Sequence, residues 1–315
     1  MLLITLEQIR NILPQLDLLA SMEEGFRAYS MGKVVVPPVG EMILEKGEVH
    51  IKYGYVKDED YYVIKVASGF YQNPGLGLPS SNGLMLLFSQ ETGELLSILY
   101  DEGYLTDVRT ALAGAVVARH LAPGNVDRIG IIGSGTQARL QLIYLKAILD
   151  CRDVSVWGRS DAALETYRAD MEAEGFNILT TKEVSEVTQS CNFIVCTTPS
   201  KIPLLQWEDI RPGTHITAMG SDTPEKQELD PVILKQADLV VGDSLEQCKL
   251  RGEIHRSLKT GAIDSSKAVE LGNVISGKSP GRVSDSELTV ADLTGVAIQD
   301  ILIASSIYEA TLKKN

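Results

Sequence analysis

The sequence has little of what several functional classes require. Its four cysteines, Cys151, Cys191, Cys196 and Cys248, form no C-x-x-C pair. Reduced thiols in a cytoplasmic protein are the simplest reading. The four histidines lie far apart in the chain, so no ordinary zinc cluster and no metal site are expected. Basic charge is in deficit. The formal net charge of -13 argues against sequence-independent binding to nucleic acid or to anionic membranes. No apolar run is long enough to span a bilayer, and no basic segment followed by an apolar stretch opens the chain. Internal repeats and low-complexity tracts are lacking too.

What remains is ordinary globular material: 315 residues, 44% apolar and 23% charged, enough for one large domain or two average ones. The first part opens with helical signals. "TLEQ" at Thr5–Gln8 has the form of a capping box, and "LASMEEGFRAYSMG" reads as an amphipathic helix stopped by Gly32. Strand-like runs follow at "VHIKYGYV", "YYVIKVAS" and "LMLLFS", the last joined through "QETGELLSILY" as a hairpin. "YLTDVRTALAGAVVARHL" is a helix ended by Pro123 and Gly124. Beyond Asn125 the rhythm alternates. Apolar strands at "RIGIIG", "VSVWG", "NFIVCTT", "HITAMGS" and "ADLVVGD" are separated by helical segments, the pattern of βαβ units and a parallel sheet. The expected architecture is α/β: a Rossmann-type doubly wound sheet over residues 126–295, and an α+β domain from residues 1–125 completed by a C-terminal helix over 296–315.

The stretch "GIIGSGTQARLQL" carries the most specific signal. Gly133-x-Gly135-x-x-Ala138 directly follows an apolar strand and opens a helix through Thr136 and Gln137. Gly133 suits the tight turn, Gly135 lets backbone approach a pyrophosphate, and Ala138 allows close helix–strand packing. A purely structural turn would use the same glycines. The strand–turn–helix setting favours the cofactor. The next strand ends in Trp157, Gly158, Arg159 and Ser160 with no carboxylate at its tip. An arginine beside a hydroxyl suits a 2′-phosphate, so NADP is the preferred cofactor and NAD the alternative. Asp161 stands close behind, either as a ribose partner or as a helix cap.

Several further blocks, "YVIKVASGF", "SNGLMLLFSQETGELLSIL", "GYLTDVRTALAGAVVARHLA", "HITAMGSDTPEKQELD" and "DLTGVAIQD", occur in the order found in the ornithine cyclodeaminase/mu-crystallin family. The chain resembles that family over essentially its whole length, most closely the branch of Δ1-pyrroline-2-carboxylate reductases and ectoine-utilisation proteins. The resemblance implies a homodimer, an N-terminal domain for substrate and dimerisation, and hydride transfer at the α-carbon of an amino or imino acid. It also implies site residues. Lys65 matches a lysine that contacts the substrate carboxylate and reacting nitrogen, and Arg109 a carboxylate-binding arginine. Asp222 matches an acidic residue that serves the amine or moves a proton. Thr197, Thr198 and Pro199 would line the nicotinamide ribose with Met219, Gly220 and Ser221 beside them, and Thr294 and Gly295 would close over the nicotinamide. For Arg109 an ion pair with Asp107 stays open, for Lys65 a solvent-facing position, and for Asp222 a turn or cap.

One departure stands out. Cyclodeaminases carry a further arginine ahead of the lysine strand, and no arginine occurs here between Arg27 and Arg109. Either Lys52 replaces that charge or Gly40 and Met42 leave a roomier pocket. Mu-crystallin lacks the aspartate that is retained here as Asp222. Three functions are consistent with these residues. The first is NAD(P)H-dependent reduction of a cyclic imino acid, Δ1-pyrroline-2-carboxylate to L-proline. The second is an ornithine cyclodeaminase with tightly held NAD, and the third a non-enzymatic ligand-binding protein of mu-crystallin type. In each enzyme reading the nicotinamide ring is expected to face Lys65 and Arg109.

Overall fold

Thr5 and Gln8 close the capping box read from the sequence. The Thr5 hydroxyl accepts from the Gln8 N–H, and the Gln8 side chain accepts from the Thr5 N–H at 2.9 Å. This cap starts helix α1 (Leu6–Ile12) immediately after a short strand, β1 (Leu2–Thr5). Helix α2 (Leu18–Ser30) is capped by Asp17, and the chain leaves it through Gly32, whose φ of +72° suits a residue without a Cβ. Strands β2 (Val34–Val35), β3 (Gly40–Ile43), β4 (Glu48–Val56), β5 (Tyr61–Gly69), β6 (Ser81–Ser89) and β7 (Leu95–Tyr100) come next, then helix α3 (Tyr104–Leu121).

In the computed structural model, which describes residues 1–314, the chain divides into two compact units. One joins Met1–Thr110 to the segment from Val296 onward, and the other is Ala111–Gly295. The first unit is built on a seven-stranded sheet ordered β1-β7-β6-β5-β4-β2, with β3 also pairing β4. Its pairs are antiparallel except β1 with β7. Register places Ile4, Leu99, Met85, Lys65 and Lys52 in one row across five strands, and all five are buried. The row begins apolar and ends in two cations. On the opposite face, Leu3, Ile98, Leu86, Ile64 and Tyr53 form a second row in which no side chain is fully buried. Beside it, Tyr62 stacks on Phe88 with ring centroids 4.7 Å apart.

The second unit alternates strand and helix: β8 (Ile129–Ile132), α4 (Thr136–Leu145), β9 (Asp153–Trp157), α5 (Asp161–Ala173), β10 (Asn177–Thr181), α6 (Val184–Ser190), β11 (Phe193–Cys196) and β12 (His215–Ala218). Then come α7 (Pro231–Gln236), β13 (Leu239–Gly242), α8 (Leu245–Cys248), α9 (Gly252–Lys259), β14 (Ala268–Glu270), α10 (Leu271–Ile275) and β15 (Thr289–Asp292). All pairs are parallel, in the order β10-β9-β8-β11-β12-β15-β13-β14. The order reverses between β8 and β11, the switch point at which such sheets leave a crevice beyond their carboxyl ends. The last helix, α11 (Ala297–Lys314), packs on β4, β5 and α2 of the first unit. Gly25 of α2 lies so close to Leu302 that no Cβ fits.

The units part inside α3 and not in the loop at Pro123–Asn125. The second half of α3 is tied to the parallel-sheet unit. Gly114 has no room for a Cβ against Gln141, and the Leu121 carbonyl accepts from Arg282 Nε at 2.7 Å. No helix among the described residues is long and apolar enough to cross a membrane.

Candidate functional site

Alternation along β5 turns Val63 and Lys65 to the covered face of the sheet. Lys65 is 1% exposed and therefore needs a counter-charge. Asp300 on α11 supplies it: Lys65 Nζ donates to Asp300 Oδ1 at 3.0 Å. The same oxygen lies 3.1 Å from Arg109 Nε, an ion-pair contact whose N–H is not aligned for a hydrogen bond. Arg109 Nη1 donates to Gln299 Oε1 at 2.6 Å. Arg109 thus pairs with the C-terminal helix and not with Asp107, and Lys65 is not solvent-facing. Lys52 is the register partner of Lys65 and is buried on the same face. Burial, then Arg109, pulls the Lys65 ammonium down to about 8 against the opposing pull of Asp300. Asp101 also acts on Lys65. Burial raises its carboxyl to about 6, although Oδ2 accepts from the Leu105 N–H at 2.7 Å. Asp101 Oδ1 and Asp300 Oδ2 are buried without a hydrogen-bond partner.

In the second unit the glycine turn sits at the switch point. Gly133 has φ +115°, and a Cβ there would meet Thr197 Oγ1 at 2.6 Å, so the turns after β8 and β11 touch. Gly135 is the N-cap of α4 with no side-chain cap, and a Cβ there would enter open space. Thr136, exposed, and Gln137, half-buried, begin the helix, while Ala138 is buried and its carbonyl accepts from the Tyr167 hydroxyl at 3.0 Å. These features fit an anion held on a helix start. Gly158 packs against Leu164, and Trp157 Nε1 donates to the Lys182 carbonyl. Arg159 is exposed and forms no ion pair among the described residues. Ser160, not Asp161, caps α5. Asp161 is the first helical residue and pairs with Lys182 at 3.3 Å.

Asp222 lies in the loop after β12. Its Oδ1 accepts from the buried Lys226 Nζ at 2.7 Å, its carbonyl accepts from Arg251, and its side chain is 36% exposed. Met219 and Ser221 are buried, Ser221 Oγ donating to the Lys226 carbonyl, and Pro199 is exposed. The Thr197 hydroxyl donates to the Ile132 carbonyl. The Thr294 side chain is turned inward: its Oγ1 donates to Asp243 Oδ1 at 2.9 Å, and the Gly295 N–H donates to Asp243 Oδ2 at 2.6 Å. Lys52, Lys65 and Arg109 therefore gather in the first unit, and Asp222 belongs to the second with the glycine turn.

Sequence reasoning missed Asp300 and Gln299, although two polar residues inside the apolar run "GVAIQDILIA" were a signal. It also missed a set of buried carboxylates in the second unit. Burial raises Glu228 to about 7 and Asp292 to about 8, and it pushes Glu253 up as well. Each accepts backbone N–H groups: Glu228 from Thr198 and Gly220, Glu253 from Glu228 and Leu229, and Asp292 from Ile254.

Strand order and glycine turn define a Rossmann-type α/β protein carrying an additional α+β unit. The family model for the ornithine cyclodeaminase/mu-crystallin family matches residues 2–315. Alanine dehydrogenase of Archaeoglobus fulgidus is 38% identical over 315 residues, 100% of this chain and 96% of that one. A solved archaeal alanine dehydrogenase dimer with bound NAD superposes with a TM-score of 0.91 at 36% identity, covering 99% and 96% of the two chains. Δ1-Pyrroline-2-carboxylate reductase of Thermococcus litoralis, solved with NADH and L-proline, gives a TM-score of 0.93 at 28% identity, covering 100% and 98%. The chain belongs to the ornithine cyclodeaminase/mu-crystallin family.

Proposed function

We propose that this protein reduces a cyclic α-imino acid with NAD(P)H, converting Δ1-pyrroline-2-carboxylate to L-proline. The observation that carries the reading is the buried pair Lys65 and Arg109, joined through Asp300, in a chain whose other unit holds the glycine turn. Asp300 accepts one N–H of Lys65, and Gln299 accepts one of Arg109. Lys65 retains further N–H bonds, and Arg109 Nη2 makes no hydrogen bond among the described residues. Those donors suit a substrate carboxylate, for which a planar guanidinium is the best-matched partner. Lys52 adds a third cation to the same face in place of the arginine absent from this region.

A reduced nicotinamide, when bound, supplies the hydride. Gly133, Gly135 and the start of α4 would hold its pyrophosphate. The remaining work is positional and protonic. The C=N carbon takes the hydride and the nitrogen takes a proton, leaving a CH–NH bond. Asp222, held by Lys226, serves the nitrogen, while Lys65 and Arg109 hold the carboxylate. Arg159 at the tip of β9 supports NADP as the preferred cofactor over NAD. The chain works as a homodimer, and the open apolar row from Leu3 to Tyr53 supports a second copy as its cover.

The test is a cofactor-absorbance assay of the purified protein with Δ1-pyrroline-2-carboxylate and either reduced nucleotide. Turnover is expected, and Asp222→Asn is expected to lower kcat severely with nucleotide affinity nearly intact. Ammonia release from L-ornithine without net cofactor change would replace this reading with the cyclodeaminase one.

A further inference from the structure

Glu228 is a buried carboxylate that the proposed reaction leaves unused. It is 0% exposed, and its two oxygens face two different loops. Oε1 accepts from the Thr198 N–H at 2.6 Å and from the Thr198 hydroxyl at 2.7 Å, while Oε2 accepts from the Gly220 N–H at 2.9 Å. One side chain therefore ties the turn after β11 to the turn after β12. The two approach closely: Gly220 leaves no room for a Cβ against Thr198, and Glu228 Oε2 lies on the same side.

The clamp is itself held. Glu253 Oε1 accepts from the Glu228 N–H at 2.7 Å, and Oε2 accepts from the Leu229 N–H at 3.2 Å. Asp292 Oδ2 in turn accepts from the Ile254 N–H at 2.8 Å, fixing the helix that carries Glu253. A buried carboxylate is costly unless its lone pairs are matched by donors. Three donors converging on Glu228 meet that need, and a shorter or neutral side chain would satisfy only part of the set. Dinucleotides lie across the switch point of such sheets. One half therefore rests on β8, α4 and β9, and the other on the strands across the reversal, β11 and β12. Thr198 and Gly220 belong to that second half.

We propose that Glu228 is the positioning residue for the nicotinamide half of the cofactor site, clamping the turns after β11 and β12 into one preformed surface. This rests on reading the second unit as dinucleotide-binding. The adenosine half does not depend on the clamp, because Gly133–Ala138 and Arg159 stand on other elements.

The test compares full-length wild type and Glu228→Gln, titrated with NADH and separately with ADP, which lacks the nicotinamide ribose as well as the ring. Gln keeps the volume but turns an NH2 group toward the Gly220 N–H or the Thr198 donors. The NADH dissociation constant is expected to rise roughly tenfold to a hundredfold, the scale of charge-assisted hydrogen bonds, with ADP binding unchanged. If Glu228→Gln does not fold, Glu228→Asp gives the same readout, since it keeps the charge but is too short to span both turns. Unchanged NADH affinity overturns the proposal. Equal weakening of both ligands also overturns it, by reducing Glu228 to general stability. If wild-type protein binds neither ligand, the dinucleotide reading fails and takes this proposal with it.

Discussion

Asp300 Oδ1 receives the Lys65 ammonium at 3.0 Å from a helix 235 residues further along the chain. That contact opposes the downward pull of burial and of Arg109 on the lysine. Lys65 is also faced by Lys52 across β4, by Asp101 beyond β7 and by Arg109 on α3. Asp300→Asn removes the strongest raising partner, so the Lys65 pKa falls below about 8. If charged Lys65 holds the substrate, kcat/KM declines as pH rises through that pKa. The decline should begin at lower pH in the variant, by roughly one unit or more. A kcat/KM profile against pH checks this, and pH-dependent acylation of Lys65 followed by mass spectrometry checks it without any substrate. An alkaline limb and an acylation curve that both stay put would remove Asp300 from control of the lysine.

Arg109 grips Gln299 and Asp300 with two different nitrogens. Arg109→Lys keeps the charge and loses the planar fork, so kcat/KM should fall about tenfold to a hundredfold, mostly through KM. NADH affinity should not change. Steady-state kinetics with a parallel nucleotide titration decide the matter, and a variant with normal KM would take the carboxylate away from Arg109.

Arg159 stands exposed at the end of β9 without an ion pair among the described residues. Arg159→Ala should lower the ratio of kcat/KM with NADPH to that with NADH by roughly tenfold, the weight of one charge-assisted bond to phosphate. An unaltered ratio would leave cofactor choice to some other group.

The raised carboxylates of the second unit predict how stability responds to pH. Glu228, Asp292 and Glu253 all hold protons to higher pH folded than unfolded. The native state thus binds more protons from the ordinary carboxylate range up to about 7 or 8, and stability from these groups falls as pH rises through that window. Asp292→Asn removes one such group while an amide oxygen still accepts from the Ile254 N–H. Thermal unfolding should show a smaller loss of Tm between mildly acidic and mildly alkaline buffer in the variant. A slope identical to wild type would show that Asp292 is ionised throughout.

Much of this was legible because local chemistry dictated it. The capping box at Thr5–Gln8, the stop at Gly32 and the turn at Gly133 each rest on residues within one helical turn. Five strands of the parallel sheet stood out as apolar runs. The others did not, for identifiable reasons. β10 is an edge strand whose side chains are mostly not buried, β14 has three residues, and β15 reads "TVAD", polar at both ends despite its place inside the sheet. Lys65 and Arg109 were visible, but Asp300 was not assigned, because its role comes from pairing across the length of the chain. Glu228 was hidden for the same reason: its partners Thr198 and Gly220 are brought to it by neighbouring parallel strands.

The placement of α11 and β15 bears on how the polypeptide is made. The helix packed on the strands bearing Lys52 and Lys65 comes from residues 297–314, and β15, four residues ending at Asp292, sits between β12 and β13. Neither unit is whole until residues 289–314 have been made. Nascent chains must therefore wait with both sheets incomplete, and fragments cut at the boundary between the units should be poor substitutes for the intact protein.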